Sequence, residues 1–95
     1  MAHRVVWSPR ALADLEAIAA FIAADSLSHA KTVVRRVVGL ARNLRRFPRS
    51  GRIVPEFDDE SMRELFVYSY RIIYRLEGND VVIAAVIHGK RILQP

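Results

Sequence analysis

The sequence predicts an α+β fold of order β-α-α-β-β-β, a small twisted and mainly antiparallel sheet with a helix hairpin packed on one face. Three observations predict it. Two stretches of the first half repeat their apolar residues every three or four positions, three stretches of the second half are runs of β-branched and aromatic residues, and the breaks between them are short. A chain of 95 residues has room for one modest core, so one domain over 1–95 is expected and a second substrate domain is not. With 52% apolar and 26% charged residues it is too rich in core formers to stay disordered.

Residues 3–7, His-Arg-Val-Val-Trp, read as a strand that ends at helix-start chemistry. Ser8 is a good N-cap, and Pro9 sits at the first helical position, where its missing N–H costs nothing. Leu12, Leu15, Ile18 and Ile22 then form an apolar stripe on a helix reaching about Ala24. Asp25 to Ser28 is a polar break in which Ser28 can cap a second helix. Val33, Val37, Leu40, Leu44 and Phe47 repeat by four, three, four and three, and Pro48 stops the run. So short a break returns the second helix antiparallel to the first. Residues 49–52 read as a turn and 53–61 as a connecting loop. Residues 63–68, 70–76 and 81–87 read as strands, the last two joined by a hairpin at Glu77-Gly78-Asn79-Asp80. Alternation along 70–76 places Tyr70, Ile72, Tyr74 and Leu76 toward the helices, and puts Arg71, Ile73 and Arg75 on the uncovered face of the sheet.

Fifteen Lys and Arg against ten Asp and Glu leave a net charge of +5, unevenly spread. Lys31, Arg35, Arg36, Arg42, Arg45, Arg46, Arg49 and Arg52 lie within 26–55 without one carboxylate among them; Glu56, Asp58, Asp59 and Glu60 follow at once. The helical arginines fall off the apolar stripe, so they form either a solvated face or a surface for a polyanion or an acidic segment. The absence of cysteine excludes disulfides, a thiolate zinc site and a Cys nucleophile, which fits a cytoplasmic protein. No apolar run approaches the ~18–20 residues that cross a bilayer, and the first one is too short for a secretory signal. Phosphate-binding glycine loops, nucleophile elbows and metal-spaced histidine pairs are missing, so neither a cofactor nor a metal is expected. His29 reads as a surface residue. His88, at the end of the last strand beside Lys90 and Arg91, has the chemistry of an acid or base near neutral pH, and also the position of an ordinary solvated strand end.

The order Ser8-Pro9-Arg10-Ala11, Phe47-Pro48-Arg49-Ser50-Gly51-Arg52, Arg63-Glu64-Leu65, Tyr70-Arg71-Ile72-Ile73-Tyr74 and His88-Gly89-Lys90-Arg91 resembles the RelE/ParE family of bacterial toxins over residues 4 to about 93. The resemblance implies a toxin of a type II toxin–antitoxin pair, held inactive by the C-terminal segment of a cognate antitoxin, and the same β-α-α-β-β-β fold. RelE-like members cleave mRNA in the ribosome with arginines and lysines around a phosphate. Under that reading Arg71 and Arg91 match catalytic arginines, and His88 stands one position from a histidine that other ribonuclease members use. The lysine pair preceding the Tyr-Arg motif falls on Met62 and Glu64, and the chain ends at Pro95, before the C-terminal tyrosine used there. ParE-like members inhibit DNA gyrase by binding and need no catalytic set. The Pro48–Gly51 turn, Val54-Pro55-Glu56 and the terminal His-Gly-Lys-Arg are closer to that branch, which places gyrase first as the target, the ribosome and mRNA second, and a nontoxic binding module on the same fold third. Arg63, Arg71, Arg75, Lys90 and Arg91 are the candidate contacts for target or antitoxin.

Overall fold

The computed structural model describes residues 2–93. Strand β1 (Arg4–Trp7) is followed by helices α1 (Pro9–Ala23) and α2 (Leu27–Asn43), and then by strands β2 (Arg52–Ile53), β3 (Met62–Val67), β4 (Tyr70–Glu77) and β5 (Asp80–His88). One open sheet runs in the order β1-β5-β4-β3-β2, antiparallel throughout except for the parallel β1–β5 edge. The predicted class, order and helix hairpin are those observed. A further strand, β2, straddles the segments read as a turn (49–52) and a loop (53–61), and pairs Arg52 with Glu64 and Ile53 with Arg63. Two residues are too few to leave a period-two signal in the sequence.

Ser8 caps α1 as its sequence position implies, its Oγ accepting from the Ala11 amide at 3.0 Å. The same hydroxyl donates to the Ala84 carbonyl at 3.1 Å, the Ser8 amide donates to Ile83 at 3.0 Å, and Asp14 on α1 accepts from the Val86 amide at 3.0 Å. Because β1 stops at Trp7, the far half of β5 has backbone groups on that edge with no strand to pair them. The first turns of α1 satisfy them instead, next to a bulge at which Ile73 and Tyr74 pair with Ala85 and Ile83.

The second helix departs from the predicted boundaries at both ends. Ser26, not Ser28, is the cap, its Oγ accepting from the His29 amide at 3.1 Å. Regular helix stops at Asn43 and continues to Arg46 as tightened turns with bonds spanning three residues, so Phe47 leaves the stripe and is exposed. The buried line of α2 is Ala30, Val33, Val37, Ala41 and Leu44, and Leu40 is only half-buried. In α1, Ala11 and Leu15 are buried whereas Leu12 is exposed. In both helices an alanine occupies a position of closest approach that a reading by bulky residues assigns to leucine.

Between helices and sheet lies the main core, built on Val33, Val37, Leu44, Ile72, Tyr74 and Ile83. Tyr70 and Leu76 pack against it, so the alternation predicted for β4 holds on this face. The opposite face is not uncovered. Val54, Ile73, Ala85 and Ile87 form a second buried cluster beneath Phe57, Met62 and Leu93, contributed by the 54–62 segment and the end of the described chain.

Candidate functional site

On that second face, β4 carries Arg71, which the sequence placed at the surface. The structure corrects this: Arg71 is 5% exposed. Its Nε donates to Glu64 Oε1 at 2.5 Å, and Nη1 and Nη2 engage Glu56 Oε2 and Oε1 at 2.8 and 3.0 Å, the fork matching the carboxylate plane. Nη1 also donates to the Arg91 carbonyl at 2.9 Å. Glu64, 1% exposed, spends its other oxygen on Arg52 Nε at 2.6 Å, and the Arg52 guanidinium lies 4.9 Å from the centre of the Phe66 ring. Two guanidinium groups and two carboxylates thus form a closed, neutral cluster.

Register explains how it assembles. The Tyr68–Ser69 turn pairs Phe66 with Arg71 and Glu64 with Ile73, so Glu64 is the diagonal neighbour of Arg71 on the same face. Tyr68 turns the corner at φ 52, a left-handed conformation unusual for a bulky side chain, and therefore ends the strand that the sequence extends through it. Glu56 Oε2 also accepts the Leu93 amide at 3.0 Å, so the cluster ties the 91–93 segment across the sheet. Hydrogen bonding from Arg71, and then from the Leu93 amide, holds the Glu56 carboxyl down at about 2, against an ordinary 4.5. Glu56 in turn raises the Arg71 guanidinium above its usual value against the opposing effect of burial.

The remaining candidates do not converge on one place. Arg63 pairs with Tyr74, which puts it on the helix side of the sheet, away from Arg71. It donates to the carbonyls of Gly51 at 3.1 Å, Arg49 at 3.3 Å and Glu60 at 2.9 Å, and so braces the Pro48–Gly51 turn. Tyr74 completes the brace, donating to the Pro48 carbonyl at 2.7 Å and accepting from the Gly51 amide at 2.9 Å. A Cβ at Gly51 would lie 2.5 Å from the Glu64 carbonyl oxygen, which is why glycine stands there. Arg75 lies on the Arg71 face but pairs with Glu77 at 2.8 Å near the other end of β4. His88, Lys90 and the Arg91 side chain are exposed at the sheet end, where His88 meets Tyr70 edge-on at 6.0 Å and its Nδ1 accepts the Lys90 amide at 3.3 Å. His29 is exposed, edge-on to Tyr68 at 6.4 Å.

Sequence reasoning missed Glu56 and Glu64 as partners of Arg71, and Arg52 as the second partner of Glu64. A signal for Glu64 was present, since a two-residue turn at 68–69 brings it diagonal to Arg71. For Glu56 there was none, because an irregular segment delivers it.

A second feature is an apolar cleft of about 400 Å³ on the outer side of the helix hairpin, lined by Ala19, Ala20, Ala23, Leu27, Ala30 and Val34, with Lys31 and Arg35 at its rim. Leu27 is exposed beside it.

Comparison with known proteins places these features in context. The profile of the ParE toxin of the type II toxin–antitoxin system, parDE, matches residues 5–93. The fold is similar to that of the chromosomal ParDE toxin–antitoxin system from P. aeruginosa, with a TM-score of 0.75 and 20% identity over 90% of this chain and 95% of the other. It is also similar to the toxin–antitoxin complex RelBE2 from Mycobacterium tuberculosis, with a TM-score of 0.67 and 24% identity over 93% of this chain and 99% of the other. No curated protein sequence is significantly similar to the chain.

Proposed function

The chain belongs to the ParE toxin family of type II toxin–antitoxin systems, and from that membership we propose that it acts by binding DNA gyrase rather than by cutting RNA, and that a cognate antitoxin neutralises it. The state of Arg71 carries this reading. An arginine that stabilises a phosphate in a cleavage reaction must offer its donors to the charge that develops there. Here the donors are taken by Glu56, Glu64 and the Arg91 carbonyl. A phosphate would have to displace two charge-assisted pairs and then sit beside their carboxylates. Glu64 adds negative charge where the ribonuclease branch carries lysine. His88, Lys90 and Arg91, left accessible at the sheet end, suit contact with a protein surface and require no chemistry.

The antitoxin is the second half of the proposal. An open apolar cleft rimmed by Lys31 and Arg35 suits an amphipathic segment that folds on binding, inserting small apolar anchors and presenting carboxylates to the rim. The target is tested with purified protein on relaxed plasmid and gyrase, alongside a cellular reporter of DNA damage. Supercoiling should be blocked, and the damage response should precede any fall in translation. Cleavage of mRNA that requires ribosomes, with gyrase unaffected, would overturn the reading.

A further inference from the structure

Apart from Arg35, which also rims the apolar cleft, one charged surface remains without an assignment. The solvent side of α2 and the turns after it carry Arg35, Arg36, Arg42, Arg45 and Arg46, and none of them makes an ion pair with a described carboxylate. Three shallow hollows, of about 470, 470 and 380 Å³, run along this side and share walls. The first begins at His3 and Arg4, adjoins the second at Arg42 and Arg45, and the second adjoins the third at Gly39 and Asn43. No carboxylate lines any of them. A helix face that is only solvated is ordinarily laced with both signs of charge, since acid–base pairs at helical spacing support it; this one has a single sign.

Gly39 is the second observation. It lies in the interior of α2, exposed, at the junction of two of the hollows, and a Cβ there would meet nothing within 4 Å. No packing neighbour demands a glycine, and the residue weakens the helix that carries it. A glycine with open space above it, ringed by guanidinium groups, permits another backbone to come close. Arg35 and Arg42 are two turns and about 10 Å apart along the helix axis, on the same side of α2.

We propose that this face is a binding surface for the phosphate backbone of duplex DNA, centred on Gly39 and independent of base sequence. The choice of duplex DNA over RNA rests on the gyrase reading, gyrase being an enzyme that acts on DNA. Arginine forks fit phosphate oxygens, and hollows with no Phe, Tyr or Trp in their walls read backbone rather than bases.

The experiment measures anisotropy of a labelled mixed-sequence 20-base-pair duplex titrated with the purified chain, without gyrase, between 50 and 200 mM salt. Release of counterions from three to five phosphates predicts a log–log slope of about −2.7 to −4.5, and so a roughly 40- to 500-fold loss of affinity over that range. Arg42→Gln/Arg45→Gln/Arg46→Gln should lower affinity at least tenfold at 50 mM salt while keeping the melting temperature. Gly39→Leu should weaken binding by filling the hollow even as it raises the melting temperature, the opposite of what a structural glycine would do. Absence of duplex binding at 50 mM salt, equal binding of polyglutamate, tighter binding of an RNA duplex, or retention of full affinity in the triple variant would each overturn the proposal. Gyrase inhibition is measured on the same preparations. Absence of duplex binding by the unsubstituted chain with inhibition intact sinks this proposal alone; duplex binding without gyrase inhibition sinks the gyrase reading alone.

Discussion

The two faces of the sheet are held by different physics. Toward the helices the contacts are apolar, and Tyr74 is the main polar intrusion, its hydroxyl satisfied by Pro48 and Gly51. The opposite face has no helix to cover it, and a short irregular segment and the 91–93 segment must do so. Its apolar cluster is small, and its order comes from Arg71, which fastens β4 to Glu64 on β3, to Glu56 in the irregular segment and to the Arg91 carbonyl. A side chain with forked donors can tie a pair of strands to two segments that share no regular pairing with them, which a leucine cannot do. What it gives up is tolerance: a buried ion pair contributes little net stability but is expensive to break.

The contrast can be broken at its centre. Arg71→Ala should cost about 3 to 5 kcal/mol in urea unfolding, as much as Leu44→Ala on the helix side at about 2 to 5, because it leaves the buried Glu64 carboxylate with only the exposed Arg52 as partner. An Arg71→Ala loss near 0.5 kcal/mol, the value for an ordinary surface arginine, would show the cluster to be ornamental.

Acid should act most strongly through Glu56 on the second face. Glu56 is held at about 2 in the folded chain against an ordinary 4.5, so its contribution is fully present above pH 4.5 and is lost as pH falls from 4.5 through 2. The shift corresponds to about 3 kcal/mol at most. Unfolding midpoints measured across that window should fall in the native chain, and the Glu56→Gln variant should show a flatter profile. Matching profiles would place the acid sensitivity elsewhere.

Tyr74→Phe sharpens the comparison from the helix side. It keeps the ring and leaves the Pro48 carbonyl and Gly51 amide without their partner, and should cost about 1 to 3 kcal/mol by thermal unfolding. The smallest effect belongs to Arg75, whose pair with Glu77 is well exposed to solvent. Arg75→Ala should change the unfolding free energy by less than about 0.5 kcal/mol, which makes it the control for Arg71 four residues away on the same strand face.

Much of this architecture follows from local rules that operate along the chain. The Ser8-Pro9 helix start, the hairpin at Gly78-Asn79, the antiparallel helix pair and the inward set Tyr70, Ile72, Tyr74 and Leu76 depend on capping, turn chemistry and periodicity, all of which act over a few residues and are therefore written in short windows of sequence. Tertiary structure alone decided the rest. The place of β1 beside β5 rests on partners about 76 residues away, and β2 is too short to announce itself. Leu12, Leu40 and Phe47 share apolar character with the buried positions, but only the closeness of the packed helices shows that Ala11 and Ala41 are the ones that fit. Arg71 is the clearest case. Alternation correctly assigned it to the second face, yet whether that face meets water or a carboxylate depends on where residues 54–62 and 91–93 fold back, and no periodicity within β4 contains that information.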